Sequence, residues 1–464
     1  MSKKLAAVIL AAGQGTRMKS QLPKVLHPVA GRPMLSHVVK TARSLGATPI
    51  VPVIGHGAEQ VRQVLAEEPL TFALQEEQLG TGHALLCAED SLTEFTGDLL
   101  LLCGDVPLLR ETTLRELLQH HQKTAASVTI LTAQMQDPTG YGRIIRGENG
   151  VERIVEEKDA SRSERLVDEI NTGIYVFRAP EAFEFLRALD NSNAQGEYYL
   201  TDIVAAARKA GGRIEALLIE YAAEAMGIND RVQLAEAGAI MRQRINEGHQ
   251  RAGVTLVDPA TTYIEPDVVI GADTLLHPNV HLRGKTTIGS GCEIEPGVVV
   301  TDCSIADQVH LKPGSVLSES SLGNSCAVGP MAHLRPGTVL SGNNKIGNFV
   351  ETKKAVFGEK SQASHLTYIG DASLGKNVNI GCGTITCNYD GVNKHQTTIG
   401  DDVFVGSDTQ FVAPVTIGRG SLIGAGSTIT KDVPEDALAI TRAEQKNVAG
   451  WAIRNRQKLQ KQKK

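Results

Sequence analysis

Aromatic side chains are scarce in this chain: 4% of its 464 residues, with a single tryptophan. Acidic and basic residues nearly cancel, and the formal charge of −5 gives no global reason to expect nucleic-acid binding. No apolar run approaches the ~20 residues that cross a bilayer, which argues against membrane insertion. Two lysines ahead of the apolar stretch in "MSKKLAAVILAAGQGTR" imitate a secretory signal, but the stretch runs straight into a Gly-rich turn, as a strand does. The seven cysteines are odd in number and include no Cys-x-x-Cys pair. Neither a disulfide framework nor a zinc site is indicated, and a reducing cytoplasm is the expected compartment.

What is present is apolar residues at 41%, 46 glycines, and a length too great for one core. Up to about residue 229, apolar runs such as "LAAVILAA", "TPIVPVIG" and "DLLLLCGDVPLL" alternate with helix-like "PMLSHVVKTARSLGA" and "AEQVRQVLAEE". This alternation predicts a parallel sheet covered by helices. Over 230–252, Leu234, Ala237, Met241 and Ile245 form one helical stripe, and Asp230 with Gln233 resembles a capping box. A connecting helix is expected there.

Near Tyr263 the period changes. Aliphatic residues recur every six positions: Ile264, Ile270, Leu276, Leu282, Ile288, Ile294, Val300, then after a slip Val316, Leu322, Val328, Leu334, Leu340, Ile346, and later Ile399, Val405, Phe411, Ile417, Ile423, Ile429. Such repetition marks a parallel β-helix, with the aliphatic residue inward and glycine supplying positive φ at corners. Coils of about 18 residues at ~4.8 Å spacing give roughly ten coils. Two stretches, 351–371 and 387–397, interrupt the period and are candidate binding insertions.

In "VILAAGQGTRMKSQLPK", Gly13 and Gly15 lack the third Rossmann glycine, Met18 standing there, and the Gly-Lys-Ser/Thr of a P-loop is absent. Arg17 and Lys24 follow the turn, so backbone N–H groups and two cations can meet phosphate oxygens. Asp105 lies just past an apolar strand, where open α/β sheets place ligands and a carboxylate can hold Mg²⁺. Each feature alone is also readable as a turn, a cap or a solvated charge.

Together with "LQEEQLGTGHA", "DPTGYGRI", "IVEEKD", "EINTGIY" and "NAQGEYYLTDI", the chain resembles the sugar-1-phosphate nucleotidyltransferases. The added hexapeptide region, with "HLRPG", "ETKK", "SHLTYIGD" and "NIGCGTITCNYDG", is similar to the bacterial bifunctional family that joins N-acetylglucosamine-1-phosphate uridylyltransferase to glucosamine-1-phosphate N-acetyltransferase. The resemblance implies an α/β, Rossmann-like nucleotidyltransferase domain over 1–229, a linker helix over 230–252, and a left-handed parallel β-helix acetyltransferase domain over 253–464. It implies acetylation of glucosamine-1-phosphate by acetyl-CoA, then UMP transfer from UTP with release of pyrophosphate, feeding peptidoglycan and lipid A synthesis in a cytoplasmic homotrimer.

By the same resemblance, Leu10, Ala11, Ala12 and Gly13 line the nucleotide loop, and Arg17 and Lys24 stabilise phosphate charge. Gln75, Gly80 and Thr81 read uracil. Asp105 and Asn229 hold Mg²⁺. Gly142, Glu156 and Asn171 bind the sugar. In the second domain His365 is the general base, with Glu351 as its orienting partner. Arg335, Lys353, Tyr368 and Asn379 take the sugar phosphate. Cys382, Asn388, Tyr389, Ser407, Ala425 and Arg442 line the acetyl-CoA groove. Cys382 departs from the alanine common there but leaves its backbone N–H free for the acetyl oxygen. The basic tail "EQKNVAGWAIRNRQKLQKQKK" matches only at Gly450–Trp451, and is readable as a CoA-phosphate contact or a solvated end. Two alternatives stay open: a nucleotidyltransferase with a non-catalytic β-helix, and a non-enzymatic binding or exchange-factor subunit.

Overall fold

The computed structural model describes residues 4–148 and 150–462. The chain divides into two compact units, Met1–Ile245 and Asn246–Lys464.

The first unit is built on one sheet whose strands are β1 (Leu5–Ala11), β2 (Ile50–Ile54), β3 (Ala73–Leu74), β4 (Gly97–Cys103), β5 (Val128–Gln134), β6 (Arg143–Gly147), β7 (Gly150–Val155), β8 (Glu169–Ala179) and β9 (Ile214–Leu218). The order across it is β9-β5-β8-β4-β1-β2-β3, with the β6–β7 hairpin attached to β8. Strand β1 lies parallel to β2 and β4. The expectation of a wholly parallel sheet is corrected at β8, which runs antiparallel to both β4 and β5. The chain reaches β8 through a hairpin rather than through a crossover helix, so nothing imposes the parallel sense. Both faces are covered. Ala7, Ile9, Leu100 and Leu102 join one apolar cluster, and Ala6, Val8, Leu99 and Leu101 the other. That is why these strands read as unbroken apolar runs. Helices α1 (Met34–Ser44), α2 (Ala58–Val64), α3 (Thr81–Leu86), α4 (Glu111–Thr124), α5 (Glu181–Arg187) and α6 (Ile203–Lys209) complete the layers.

Helix α7 (Arg231–Arg251) runs through the division between the units. Asp230 Oδ1 accepts from the Val232 and Gln233 N–H groups, an N-cap. The reciprocal bond of the capping box is shifted by one residue: Gln233 Oε1 accepts from Asn229 N–H at 2.7 Å. Leu234, Ala237 and Met241 pack with Val29, Met34, Leu108 and Ile228 of the first unit.

The second unit is a parallel β-helix. Eleven short strands from Thr255–Leu256 to Leu438–Ala439 stack as one side, and seventeen more make the other two. Tyr263 pairs with His281, eighteen positions on, and Glu351 with Tyr368, seventeen on. Shorter coils contain a five-residue side, which explains the slip. Inward residues run Val300, Ile305, Leu311, Leu317, Leu322, so Leu317 is buried and Val316, expected inside, is exposed. Residues 351–371 are likewise not an interruption. Their strands Glu351–Phe357 and Tyr368–Leu374 pair in register, with Thr352 at an inward position. Only 387–397 leaves the coil, so that Asn379 pairs with Phe404.

Gly271, Gly289, Gly400 and Gly418, each directly after an inward aliphatic residue, do not themselves supply the positive φ, although glycine does two residues further on at Gly291 (φ 65°) and Gly420 (φ 69°). A Cβ on Gly271 would lie 2.6 Å from the Gly289 carbonyl carbon of the next coil, so glycine is needed for close approach. The left-handed position comes two residues later, at Asp273 and Asp402 (both φ 60°). Short polar residues tolerate that conformation. After the last coil, helix α8 (Trp451–Gln462) buries none of its residues, so the tail is helical and exposed over that stretch.

Candidate active sites

In the first unit, the loop after β1 opens on a cavity of about 360 Å³ lined by Leu10, Ala11, Ala12, Gly13, Lys24, Gln75, Gly80, Thr81 and Asp105. Gly15 has φ 63°, and a Cβ there would lie 2.6 Å from Lys24 Cβ, so glycine lets Lys24 fold back under the loop. The Lys24 ammonium forms an ion pair with Asp105 and donates to Asn229 Oδ1 at 3.1 Å. Three separate segments thus meet at one point: the β1 loop, the end of β4 and the approach to α7. Asp105 and Asn229 aim two oxygens at one cation, which fits the hard donor set Mg²⁺ takes together with phosphates and water. Among the described residues no three His, Cys, Asp or Glu side chains gather as a metal cage. Arg17 sits exposed on the single turn Thr16–Met18.

Gly142, Glu156 and Asn171 are brought together. Asn171 N–H donates to the Gly142 carbonyl at 2.8 Å. A Cβ on Gly142 would lie 3.6 Å from both Asn171 Cβ and the Glu156 carboxyl carbon. Burial pushes the Glu156 carboxyl above the usual carboxylate range, against the Thr201 hydroxyl that donates to it at 3.2 Å. Four further residues were not singled out from the sequence. Gln78 lines the cavity and donates to the Ala12 carbonyl at 2.8 Å, and Glu197 lines it from "NAQGEYYLTDI". Cys103 also lines it, its thiol pushed up to about 12 by burial and by the Asp105 carboxylate. Burial likewise raises the Tyr141 phenol. All four lie in or beside stretches already quoted, but no single-residue signal separates them from neighbours.

In the second unit, one corner of the β-helix stacks Asn348, His365, Cys382, Ser407 and Ala425 on successive coils. Asn348 pairs in register with His365. The Gly383 N–H to Leu366 carbonyl (3.1 Å), Asp408 N–H to Cys382 carbonyl (2.7 Å) and Gly426 N–H to Ser407 carbonyl (2.8 Å) bonds continue the corner. Arg442 ends it, donating to the Ala425 carbonyl at 2.7 Å. Among the described residues no backbone carbonyl accepts from the Cys382 N–H.

His365 Nδ1 lies 2.9 Å from Asn348 Oδ1. With the amide oxygen as acceptor, Nδ1 carries the hydrogen and Nε2 is left as an open acceptor. The partner is Asn348, not Glu351, which was expected to orient the ring. Glu351 instead pairs with Arg335 at 2.7 Å, because its strand position stacks it beneath Tyr368 on the adjoining side. Lys353 lies 3.8 Å from Asp371, which also accepts from Asn388. The Lys394 side chain beside it holds Lys353 below the ordinary lysine range. Asn388 and Lys394 both belong to the 387–397 loop, which therefore closes over Lys353. Tyr389 is exposed on that loop, its hydroxyl donating to the Gly391 carbonyl at 2.5 Å. Asn379 stands on the other side of the corner and accepts from Gln362 at 2.9 Å.

Comparison with known proteins gives three family matches: a MobA-like NTP transferase domain over residues 7–226, a GMPPB C-terminal domain over 259–361, and bacterial transferase hexapeptide repeats over 396–431. Relatives named bifunctional protein GlmU match over nearly the whole chain. That of Syntrophotalea carbinolica is 66% identical across 97% of each chain. Those of Pelobacter propionicus and Geotalea uraniireducens are 58% and 56% identical, across 98% and 97% of this chain and 99% of theirs.

Proposed function

This chain belongs to the family of bifunctional GlmU proteins, and we propose that it makes UDP-N-acetylglucosamine in two steps, one on each unit. The β-helix transfers acetyl from acetyl-CoA to glucosamine-1-phosphate. The first unit joins the product to UMP from UTP and releases pyrophosphate. The observation that carries this reading is that most of the expected side chains of each set gather, each set at its own place in the fold, within a chain alike to its relatives over nearly its whole length.

For uridylyl transfer the obstacle is repulsion between two phosphates, so charge neutralisation and alignment are the task. Leu10 and Ala11 at the end of β1 line the nucleotide space, Ala12 and Gly13 in the loop offer N–H groups, and Lys24 and Arg17 offer positive charge. Asp105 and Asn229 would hold Mg²⁺, which when bound neutralises phosphate charge. Lys24 is then free to turn toward the nucleotide. Glu156 and Asn171 face the sugar across the space that Gly142 leaves open.

For acetyl transfer, the substrate amine attacks the thioester carbonyl and must lose a proton. His365 Nε2 takes it, its tautomer set by Asn348. The Cys382 N–H is free to donate to the acetyl oxygen. Arg335, Lys353 and Tyr368 take the sugar phosphate on one flank of the corner. Asn379 stands on the other, and Ser407, Ala425 and Arg442 extend the same column toward the cofactor. The regulatory-prism alternative leaves this column without a purpose. The proposal includes a homotrimer in the cytoplasm. Exposed Met331, Phe349 and Leu366 stack beside the His365 corner as a packing ridge, and the seven cysteines are all unpaired. No helix among the described residues is long and apolar enough to cross a membrane.

Both half-reactions should be measured on one preparation of His365→Ala. General-base loss should lower acetyl transfer ~10²–10⁴-fold, while uridylyl transfer from ready-made N-acetylglucosamine-1-phosphate stays at the wild-type rate. Undiminished acetyl transfer would remove His365 as the base.

A further inference from the structure

Gln75 is 4% exposed and lines the cavity of the first unit. Its Nε2 lies 3.1 Å from the Gly80 carbonyl oxygen and 3.1 Å from His83 Nδ1. A backbone carbonyl only accepts, so the Gln75 atom facing it is the amide nitrogen. The second amide hydrogen then points at His83 Nδ1, which must accept it. His83 therefore carries its own proton on Nε2, the nitrogen 3.9 Å from Cys87 Sγ. The Gln75 Oε1 atom is left accessible and receives no hydrogen bond among the described residues. The amide thus presents an acceptor to the cavity and hides its donors.

We propose that His83 is a positioning residue that fixes the Gln75 amide this way round, and so selects a base edge presenting an N–H donor at that point. Uracil has such a donor at N3. Cytosine has an acceptor there, which would face Oε1 unpaired. Turning the amide over would set Oε1 against the Gly80 carbonyl, which can only accept, and against His83 Nδ1 as long as the His83 proton stays on Nε2. Leaving buried polar groups facing like groups is what gives a hydrogen-bonding site its discrimination. His83 touches the base only through Gln75. The inference rests on the uridylyl-transfer reading and deepens it, naming the residue that sets the nucleotide specificity of that site.

His83 also borders a second cavity of about 350 Å³ with Leu79, Leu86, Leu186, Leu189 and Tyr198. A smaller side chain enlarges that space without overpacking it. The test is steady-state uridylyl transfer by the full chain with UTP and with CTP, for wild type, His83→Ala and His83→Asn. Asparagine Oδ1 can take the acceptor position of Nδ1. His83→Ala should raise KM for UTP about tenfold and lower the UTP-to-CTP ratio of kcat/KM by a similar factor, the worth of one well-placed hydrogen bond. Its kcat should stay within about twofold of wild type, and His83→Asn should recover most of the ratio. A His83→Ala ratio equal to wild type overturns the proposal. So does equal loss on both nucleotides with no recovery in His83→Asn, which would make the role purely structural. Absence of UTP turnover in the wild type would instead strike down the uridylyl-transfer reading itself, and this inference with it.

Discussion

At Glu156, burial and function pull in opposite directions. The fold raises its carboxyl above the ordinary range, so the ionised form is the one the folded state disfavours. A raised folded value means that Glu156 supports stability only at low pH, and that this support is lost as pH rises through the folded value. Sugar binding needs the opposite state, the carboxylate as acceptor. Glu156→Gln should therefore melt no lower than wild type above neutrality, while KM for N-acetylglucosamine-1-phosphate rises about tenfold. In wild type that KM should climb on the acid side of neutrality, and in the variant it should stay flat. A lower melting temperature for the variant would refute the argument. Glu156 and its neighbours Gly142 and Asn171 were legible in the sequence because each sits in a recognisable stretch. Asn348 was not. An asparagine in a β-helix corner has a local reason to be there, as Asn377 does at φ 56°, and only coil register places Asn348 beneath His365.

Among elements, the coil was the most readable, since an inward aliphatic every six residues has no other simple explanation. Its two errors have local causes. A side can lose one residue where the polar corner is shortened, as at Val300–Ile305 and Leu317–Leu322, and an inward position can be polar, as Thr352 is. Neither breaks the stack, because coil-to-coil hydrogen bonds do not depend on side-chain identity. Backbone proximity does matter. A Cβ on Gly406 would meet the Ala425 nitrogen at 2.5 Å, so Gly406→Ala must push two coils apart beside Ser407. The expected cost is ~1–3 kcal/mol of overpacking, read as an earlier denaturant midpoint for the β-helix, with reduced acetyl transfer and unchanged uridylyl transfer. An unchanged midpoint would show that the corner yields freely. The mixed sheet of the first unit was less legible, because an apolar run does not announce its direction.

On the scale of the whole molecule, each unit holds its own site residues. The first part of α7 is packed into the first unit through Leu234, Ala237 and Met241. A fragment of residues 1–251 should fold, keep uridylyl transfer within a few-fold of the full chain, and have no acetyl transfer. A soluble, folded fragment lacking both activities would overturn this independence. The corner column carries a different consequence, one for the gene. Its members come from successive coils, seventeen or eighteen residues apart except across the 387–397 loop. Codons can therefore be gained or lost around it in whole-coil quanta, or singly where a side shortens from six residues to five. A tandem duplication of one coil before Asn348 adds a storey and leaves the column aligned. A three-codon deletion between His365 and Cys382 keeps the reading frame and destroys the alignment. The 387–397 excursion is the one stretch inside the column where length can drift, and so the place where descendants of this gene can reshape the pocket by insertion.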